Sequence, residues 1–177
     1  MNLPRNVIGL DLSLRHTGVA YPSGSVTTVE TGKERGAQRW AAIFDQASYG
    51  LWGNGQLDLA VIEGYAYAAV GSALFELCEL GGIIRWELHR AGVPWLVVPP
   101  ATLKKYATGK GGANKTAMVI AARERLGYEG TDDNEADALW LRALGLDLLG
   151  EPLCSLPIVQ RNVLHRVTWP AGVAAPT

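Results

Sequence analysis

The chain contains only two cysteines and no long uninterrupted apolar run. Cys78 and Cys154 stand far apart, with no CxxC motif or Cys/His cluster, so the sequence gives no support to a zinc site and we expect two reduced thiols. No stretch of about 18 uncharged apolar residues occurs, and the first apolar stretch, VIGLDL, is interrupted by Asp11. These absences argue against a membrane span and a signal peptide, and we expect a cytoplasmic protein.

A strong net charge is also absent, since the formal charge is −1 at pH 7, but the charges are unevenly distributed. Residues 101–127 hold six basic residues against one acid, whereas residues 128–151 hold seven acids against Arg142 alone. A basic region next to an acidic one is typical of a protein that grips a polyanion and holds metal ions beside it. Ordinary solvated faces would produce the same distribution.

Apolar periodicity predicts a mixed α/β fold, with helices on both faces of one five-stranded sheet whose first three strands form an antiparallel meander. The predicted strands cover residues 7–13, 17–23, 25–30, 57–63 and 93–100, and the predicted helices cover 33–48, 72–92, about 113–126 and about 133–148. One domain over residues 1–150 accounts for these elements. The Pro-containing tail, 151–177, is expected to form an extended strap or to be partly disordered.

Two carboxylates lie on predicted buried strands, where an isolated charge is costly without a partner. Asp11 interrupts the first strand and Glu63 ends the fourth. Arg15 or Lys33 could pair with Asp11, and Glu63 could be a polar edge residue. If the two strands are parallel neighbours, however, both carboxylates meet at the carboxyl edge of the sheet, where α/β proteins usually place their sites.

The last predicted helix begins with several acids in the stretch DDNEADALWL. Asp132 and Glu135 have the spacing of a capping box, which assigns them to the helix start. Asp137 shares a helix face with Asp133 and Asn134. If Asp137 meets the two strand carboxylates instead of facing solvent, the three form an all-oxygen cluster suited to Mg²⁺ or Mn²⁺, where two ions could support hydrolysis of a nucleic-acid backbone.

The stretch GKGGANKT, residues 109–116, is not a nucleotide-binding P-loop, because Asn114 and not glycine precedes Lys115, and no buried strand leads directly into it. We therefore expect no nucleotide cofactor. A Gly-rich loop with lysines before a helix is better suited to backbone phosphates, although a solvated loop is the alternative. The candidate DNA contacts are Lys104, Lys105, Lys110 and Lys115.

Five stretches in this order, IGLDLSLRHTGVAY, VIEGYAY, ALFELCELGGII, PPATLKKYATGKGGANKTAM and DDNEADALWLRAL, resemble the RuvC-type Holliday-junction resolvases, particularly the shorter phage versions. The resemblance spans roughly residues 8–150. It implies a ribonuclease H-like domain in a bacterial or phage-infected cell, acting as an endodeoxyribonuclease on four-way junctions. It further implies hydrolysis with two Mg²⁺ ions, for which Mn²⁺ would substitute, leaving a 5′-phosphate and a 3′-hydroxyl.

In that family the metal ligands fall on Asp11, Glu63 and Asp137 of this chain. Members commonly carry an Asp or a His three residues before the last acid, where this chain has Asn134. Either Asp133 or Asn134 is therefore expected as an auxiliary ligand. Related resolvases also place an aromatic side chain at the junction centre, a role open to Tyr65 or Tyr67, with plain packing as the alternative.

The resemblance also implies a homodimer that cuts two strands symmetrically. The predicted helix 72–92 is consistent with this, because its apolar residues surround most of the helix and favour two partners, the sheet and a second element that another subunit could supply. A helix fully buried within a monomer is the alternative. Three alternatives stay open: a ribonuclease H-like nuclease on other branched or hybrid substrates, a catalytically inactive junction-binding module, and, less well supported at this length, an actin-like phosphotransferase.

Overall fold

The computed structural model of the chain describes residues 5–52, 57–65 and 72–169, and its centre is one five-stranded sheet. The strands are β1 (Val7–Asp11), β2 (His16–Ala20), β3 (Val26–Glu30), β4 (Leu59–Glu63) and β5 (Trp95–Val98). They lie in the order β3-β2-β1-β4-β5. The pairs β1–β2 and β2–β3 are antiparallel, and β1–β4 and β4–β5 are parallel, which confirms the predicted meander and mixed sheet.

Six α-helices occur in the described part of the chain, and helices cover both faces of the sheet. They are α1 (Gly36–Trp52), α2 (Ser72–Arg90), α3 (Pro100–Thr108), α4 (Lys115–Leu126), α5 (Asp133–Leu148) and α6 (Ile158–Arg161). One face packs mainly on α3, α4 and α5, and the other packs on α1 and α2. No helix in the described residues is long and apolar enough to span a membrane.

The first strand is shorter than predicted and ends at Asp11. The reason is a turn at Ser13, whose Oγ accepts hydrogen bonds from the backbone N–H groups of Arg15 and His16, at 3.2 and 2.9 Å. Thr17 Oγ1 closes the same turn by accepting from the Ser13 N–H at 3.1 Å. Asp11 therefore lies at the carboxyl end of the strand, where its side chain can meet the ends of neighbouring elements.

Helix α3 was not predicted, because Pro99 and Pro100 were interpreted as the end of a strand. Proline suits the first positions of a helix, where its missing N–H has no intrahelical partner. Pro99 is the N-cap and Pro100 begins the helix, which ends at Gly109 in the left-handed conformation with φ of 82°. Since Asn114 caps α4 by accepting from the Ala117 N–H, the Gly-rich loop is a short connection between two capped helices.

Helix α5 packs directly on β1 and β2 because glycine removes the side chains that would keep it away. A Cβ at Gly18 would overlap the carbonyl oxygen of Asn134, and a Cβ at Gly9 would overlap that of Ala138. Further along, a Cβ at Gly145 would lie 2.6 Å from Val61 Cγ2. The helix and sheet backbones are thus in contact at two points, and sheet side chains contact the helix backbone at a third, so the position of α5 is closely fixed.

The described part of the tail packs on the domain through α6. The Asp147 side chain of α5 is fully buried, and Arg161 donates to both of its oxygens, at 2.6 and 3.1 Å. Tyr106 Oη of α3 donates to Asp147 at 3.0 Å, and Gln160 Nε2 donates to the Tyr106 carbonyl at 2.8 Å. These contacts join the tail to α3 and α5. The domain boundary at residue 150 stays a prediction.

The contact of α5 with the sheet predicts that Gly18→Ala is strongly destabilising. The added methyl group meets backbone, which cannot rotate away as a side chain can, so we expect a loss of about 2–3 kcal/mol in the free energy of unfolding. Urea denaturation measures it. The matched control is Gly82→Ala in α2, where a Cβ meets nothing within 4 Å and helix propensity favours alanine. Equal stabilities of the two variants would contradict the close contact.

Candidate active site

Asp11 and Glu63 lie side by side at the carboxyl edge of the sheet. Leu10 and Ile62 are paired in the parallel register of β1 and β4, so the next residue on each strand is one of the two carboxylates. Residues of this parity face the α3–α4–α5 side, since Val7, Leu59 and Val61 pack there. The two side chains share a hydrogen bond, and Asp11 is only 9% exposed.

Burial is the main electrostatic influence on this pair. Burial raises the pKa of Asp11 well above its usual value, and the negative charge of Glu63 raises it further. Burial also raises the pKa of Glu63 to about 7, although the hydrogen bond from Asp11 and the charges of Lys104 and Lys115 oppose this. Burial therefore makes both carboxyl groups harder to ionise than free Asp and Glu side chains.

Asp137 joins these two carboxylates from the second turn of α5. The contact of α5 with Gly9 and Gly18 brings it close, and its Oδ1 is buried with no hydrogen-bond partner. Burial, followed by the negative charges of Asp11 and Asp133, raises the pKa of Asp137 to about 7. The structure thus brings together the three carboxylates selected from the sequence, in surroundings that do not fully neutralise them.

The start of α5 explains the other acids. Asp132 is the N-cap and accepts from the N–H groups of Asn134 and Glu135, at 2.7 and 3.3 Å. Burial alone would raise the pKa of Asp132, but these hydrogen bonds outweigh burial and lower it. Glu135 differs from the predicted capping box, because it accepts from Tyr128 Oη at 2.6 Å and Tyr128 Oη in turn accepts from the Asp132 N–H at 3.1 Å.

Asp133 and Asn134 have different surroundings. The Asn134 side-chain amide donates to Asp132 Oδ1 at 3.0 Å, which ties it to the helix cap. Asp133 forms an ion pair with Lys115, and its negative charge raises the pKa values of Asp11 and Asp137. Of the two residues that the sequence left open, Asp133 is therefore the one engaged with the carboxylate cluster.

The four candidate lysines divide into two pairs. The positive charges of Lys104 and Lys115 lower the pKa values of Glu63 and Asp137, so both lie near the cluster. Lys105 is half-buried in the last turn of α3, and Lys110 is exposed in the connection to α4. The four lysines are not distinguished by the sequence, because α3, the helix that carries Lys104 towards the carboxylates, was not predicted.

Tyr65 packs against α2. Its Oη lies 3.5 Å from the Cys78 carbonyl oxygen and 3.4 Å from Arg85 Nη1, and a Cβ at Gly81 would overlap it. The Arg85 guanidinium also lies over its ring, 5.9 Å from the centroid. These contacts agree with the packing alternative for Tyr65. Tyr67 lies outside the described residues.

The carboxylates suit a hard divalent cation by their chemistry. They are all-oxygen donors, they are buried, and Asp137 Oδ1 has no partner. In the described part of the chain, no three His, Cys, Asp or Glu side chains are arranged to hold an ion as they stand. The positive charges of Lys104 and Lys115 lie near these carboxylates, and Lys115 is paired with Asp133.

Comparison with known proteins identifies the family. No protein-family model matches the chain. The curated crossover junction endodeoxyribonuclease RuvC of Sorangium cellulosum is 28% identical over 156 residues, which cover 81% of this chain and 86% of that protein. The RuvC of Anaeromyxobacter dehalogenans is 32% identical over 141 residues, covering 75% and 76%. The chain belongs to the RuvC family.

Solved structures agree with the RuvC fold. Thermus thermophilus RuvC in complex with a Holliday junction substrate superposes with a TM-score of 0.66 at 20% identity, covering 78% of this chain and 90% of that one. The yeast mitochondrial Holliday junction resolvase Ydc2 gives 0.50 at 12% identity, covering 93% and 83%. At these identities the likeness concerns the fold, and it confirms the predicted ribonuclease H-like architecture.

The raised pKa values predict how the stability of this protein depends on pH. The pKa values of Glu63 and Asp137 rise from 4.5 and 3.8 to about 7, so the folded chain binds more protons than the unfolded chain across this range. In EDTA, the free energy of unfolding should therefore fall by at least about 2 kcal/mol as the pH rises from 5 to about 7, and level off above that range. Urea denaturation at several pH values measures it.

Mg²⁺ added at pH 8 should restore stability, because a bound cation replaces the lost protons. Glu63→Gln removes one titrating group and should reduce the fall, whereas Glu124→Gln, at an exposed site, should not. Working above about pH 5 avoids the range where Asp132, whose pKa is lowered, titrates in the opposite sense. A stability that rises between pH 5 and 8 in EDTA would contradict the assigned surroundings of the carboxylates.

Proposed function

We propose that this chain resolves four-way (Holliday) DNA junctions as a structure-selective endodeoxyribonuclease that depends on a divalent cation. The observation that carries the proposal is the cluster of three carboxylates at one sheet edge, with Asp11 buried and Glu63 and Asp137 half-buried, in a chain of the RuvC family. Its relatives are named crossover junction endodeoxyribonucleases, and one solved neighbour was captured with a Holliday junction substrate. Scission of a DNA backbone beside these carboxylates needs positive charge to offset theirs.

Asp11, Glu63 and Asp137 would hold the cation, Mg²⁺ in our proposal with Mn²⁺ as a substitute, and Asp133 would assist. When bound, such an ion lowers the pKa of a coordinated water and offsets charge on a scissile phosphate. Because the pKa values of Glu63 and Asp137 lie at about 7, both groups are ionised only above neutral pH, and a bound cation would favour their ionised forms at lower pH. Asn134 is assigned to the helix cap and not to the cation, because its amide already donates to Asp132.

The four candidate lysines are proposed to have two different roles. Lys104 and Lys115 flank the carboxylates and compensate part of their charge, so they would meet the scissile phosphate first. Lys105 and Lys110 stand away from the cluster, with Lys110 exposed, and would grip backbone phosphates of a junction arm. These phosphate contacts would not depend on the DNA base sequence, as expected of an enzyme that selects a DNA shape.

The chain is also proposed to act as a homodimer, and α2 offers a surface for it. Leu80, Ile84 and Leu88 are buried against the sheet, while Phe75 and Trp86 are 72% and 59% exposed. Eleven residues are about three helical turns, so Phe75 and Trp86 share one face. Two large exposed aromatics on one helix favour a second copy of the chain as the covering partner, because two active sites are needed for symmetric cutting.

The decisive experiment incubates the protein with a labelled four-way junction and Mg²⁺, beside the Glu63→Gln variant. Glu63→Gln should lose at least about 100-fold in cleavage rate because a cation ligand is gone, while junction binding survives. Glu124→Gln is the matched control, since that glutamate is exposed on α4 and the variant should cut normally.

Each alternative has its own outcome in this assay. Binding without cleavage by the wild type, in Mn²⁺ as well as Mg²⁺, would identify an inactive junction-binding module, the alternative that the missing carboxylate at Asn134 favours. Preferential cutting of an RNA/DNA duplex would identify a nuclease of hybrid substrates. Normal cutting by Glu63→Gln would show that Glu63 is not a ligand.

The lysine assignment predicts the salt dependence of binding. The double variant Lys105→Ala/Lys110→Ala should bind junctions more weakly, and its slope of log affinity against log salt should be shallower by about 1–2, because up to two phosphate contacts are lost. Binding is measured in Ca²⁺ or EDTA to suppress cutting. Arg90→Ala, an exposed cation at the end of α2, should leave the slope unchanged. An unaltered slope in the double variant would place the DNA elsewhere.

The dimer assignment predicts a change of mass. Phe75→Ser/Trp86→Ser should convert the protein from about twice 19.0 kDa to a monomer in light scattering, without loss of stability, because both side chains are exposed in the folded chain. Ile158→Ser is the matched control, since Ile158 is 75% exposed on α6, away from α2. A wild-type monomer, or a double variant that stays dimeric, would contradict the assignment.

A further inference from the structure

A cleft of about 560 Å³ lies on the flank of the domain, apart from the carboxylate cluster. Its walls come from the β2–β3 turn, the start of β3, the loop after α4, one face of α5, and Leu153 of the tail. Glu135, Leu139 and Arg142 form the α5 wall, and their spacing of four and three residues puts them on one helix face. Arg142 lies five residues beyond Asp137, roughly 140° around the helix. The cleft and the carboxylates thus use different sides of α5.

Arg142 is the unusual residue of this cleft, because it is a buried cation without a carboxylate. It is only 9% exposed, and its Nη2 donates to the Pro22 carbonyl oxygen at 2.7 Å. Its Nε is buried and has no hydrogen-bond partner. Among the ion pairs of the described residues none involves Arg142. A buried guanidinium in this state is costly, and burial lowers its pKa.

The other charged groups that line the cleft either have a hydrogen-bond partner already or restrict the charge of a ligand that could bind. Arg125 donates to Gln160 Oε1 at 3.3 Å, and Glu135 accepts from Tyr128 Oη. Glu129, which is exposed, adds a second carboxylate to the lining. Two carboxylates disfavour a polyanion such as DNA, whereas the Arg142 guanidinium favours one negative group placed against the part of its side chain that lines the cleft.

We propose that this cleft is a second ligand site, which binds a small organic anion by placing its carboxylate or phosphate against Arg142. Val26, Leu126, Leu139 and Leu153 supply the apolar part of the lining, so the anionic group belongs on an apolar body. The volume lies within the usual range of roughly 300–1,000 Å³ for small-molecule sites. The site is independent of DNA cleavage, because none of the carboxylates at the sheet edge lines it.

The test compares three probes of similar size: 4-phenylbutyrate, its uncharged analogue 4-phenylbutanamide, and phenyl phosphate. Titrations follow the arginine Nε–H signals by NMR, which report directly on the group that has no partner. We expect saturable shifts of the Arg142 signal with at least one anionic probe, with affinity at least about tenfold above that of the amide, because a hydrogen bond to a charged group is gained. The two anions distinguish carboxylate from phosphate as the preferred group.

Arg142→Met keeps the length of the side chain and should abolish the preference for the anion, while Arg90→Met, on the exposed end of α2, should keep it. Equal affinity of the wild-type protein for 4-phenylbutyrate and 4-phenylbutanamide would by itself overturn the proposal. So would the lack of saturation by either anion at about 10 mM, a concentration that still detects weak sites. Displacement of the probe by an uncut four-way junction would also overturn it, by making the cleft part of the DNA surface.

Discussion

The direct contact of α5 with β1 and β2 is the constraint on which the site depends. Asp11 is paired with Gly18 in the β1–β2 register, and Gly9 lies two residues before Asp11 on the same side of the strand. Both glycines meet backbone atoms of α5. The residues that admit the helix are therefore immediate neighbours of the first carboxylate. As a result, Asp137 reaches Asp11 and Glu63 through rigid elements and not through a loop, which suits a site that must hold charged groups at fixed distances.

Charge is the second determinant of the site. Burial and, after it, repulsion between the three carboxylates raise the pKa values of Glu63 and Asp137, and Lys104 and Lys115 offset only part of this effect, since both values stay at about 7. Protons compensate the rest at low pH, and a divalent cation can do so at higher pH. The same cluster thus links folding stability, proton binding and cation binding. The ion pair of Lys115 with Asp133 shows that a basic residue of α4 already contributes to this balance.

The sequence predicted the mixed sheet with its antiparallel start, and it selected the three carboxylates that the structure brings together, because these rest on local signals: apolar runs, a meander of short strands, and acids in otherwise apolar segments. The sequence did not predict α3, because Pro99 and Pro100 were interpreted only as the end of a strand. Here the same two prolines also begin a helix. The sequence could not separate Asp133 from Asn134, since that difference depends on the direction of one amide at the helix cap. The contribution of Tyr128 to the helix cap was also not predicted, because the spacing of a capping box was a sufficient explanation for Asp132 and Glu135.

The packing that fixes Asp137 also accounts for the burial of Arg142. The backbone nitrogen of Arg142 would lie 2.7 Å from a Cβ at Gly9, so the Arg142 backbone lies directly against β1. Its side chain must then run along the sheet towards the β2–β3 turn, where the Pro22 carbonyl oxygen accepts one of its hydrogen bonds. A helix held this closely cannot rotate to expose the guanidinium, because the contacts at Gly9, Gly18 and Gly145 would separate. The charge therefore needs a partner that comes to it, and the cleft beside Arg142 is the route by which a ligand can supply one.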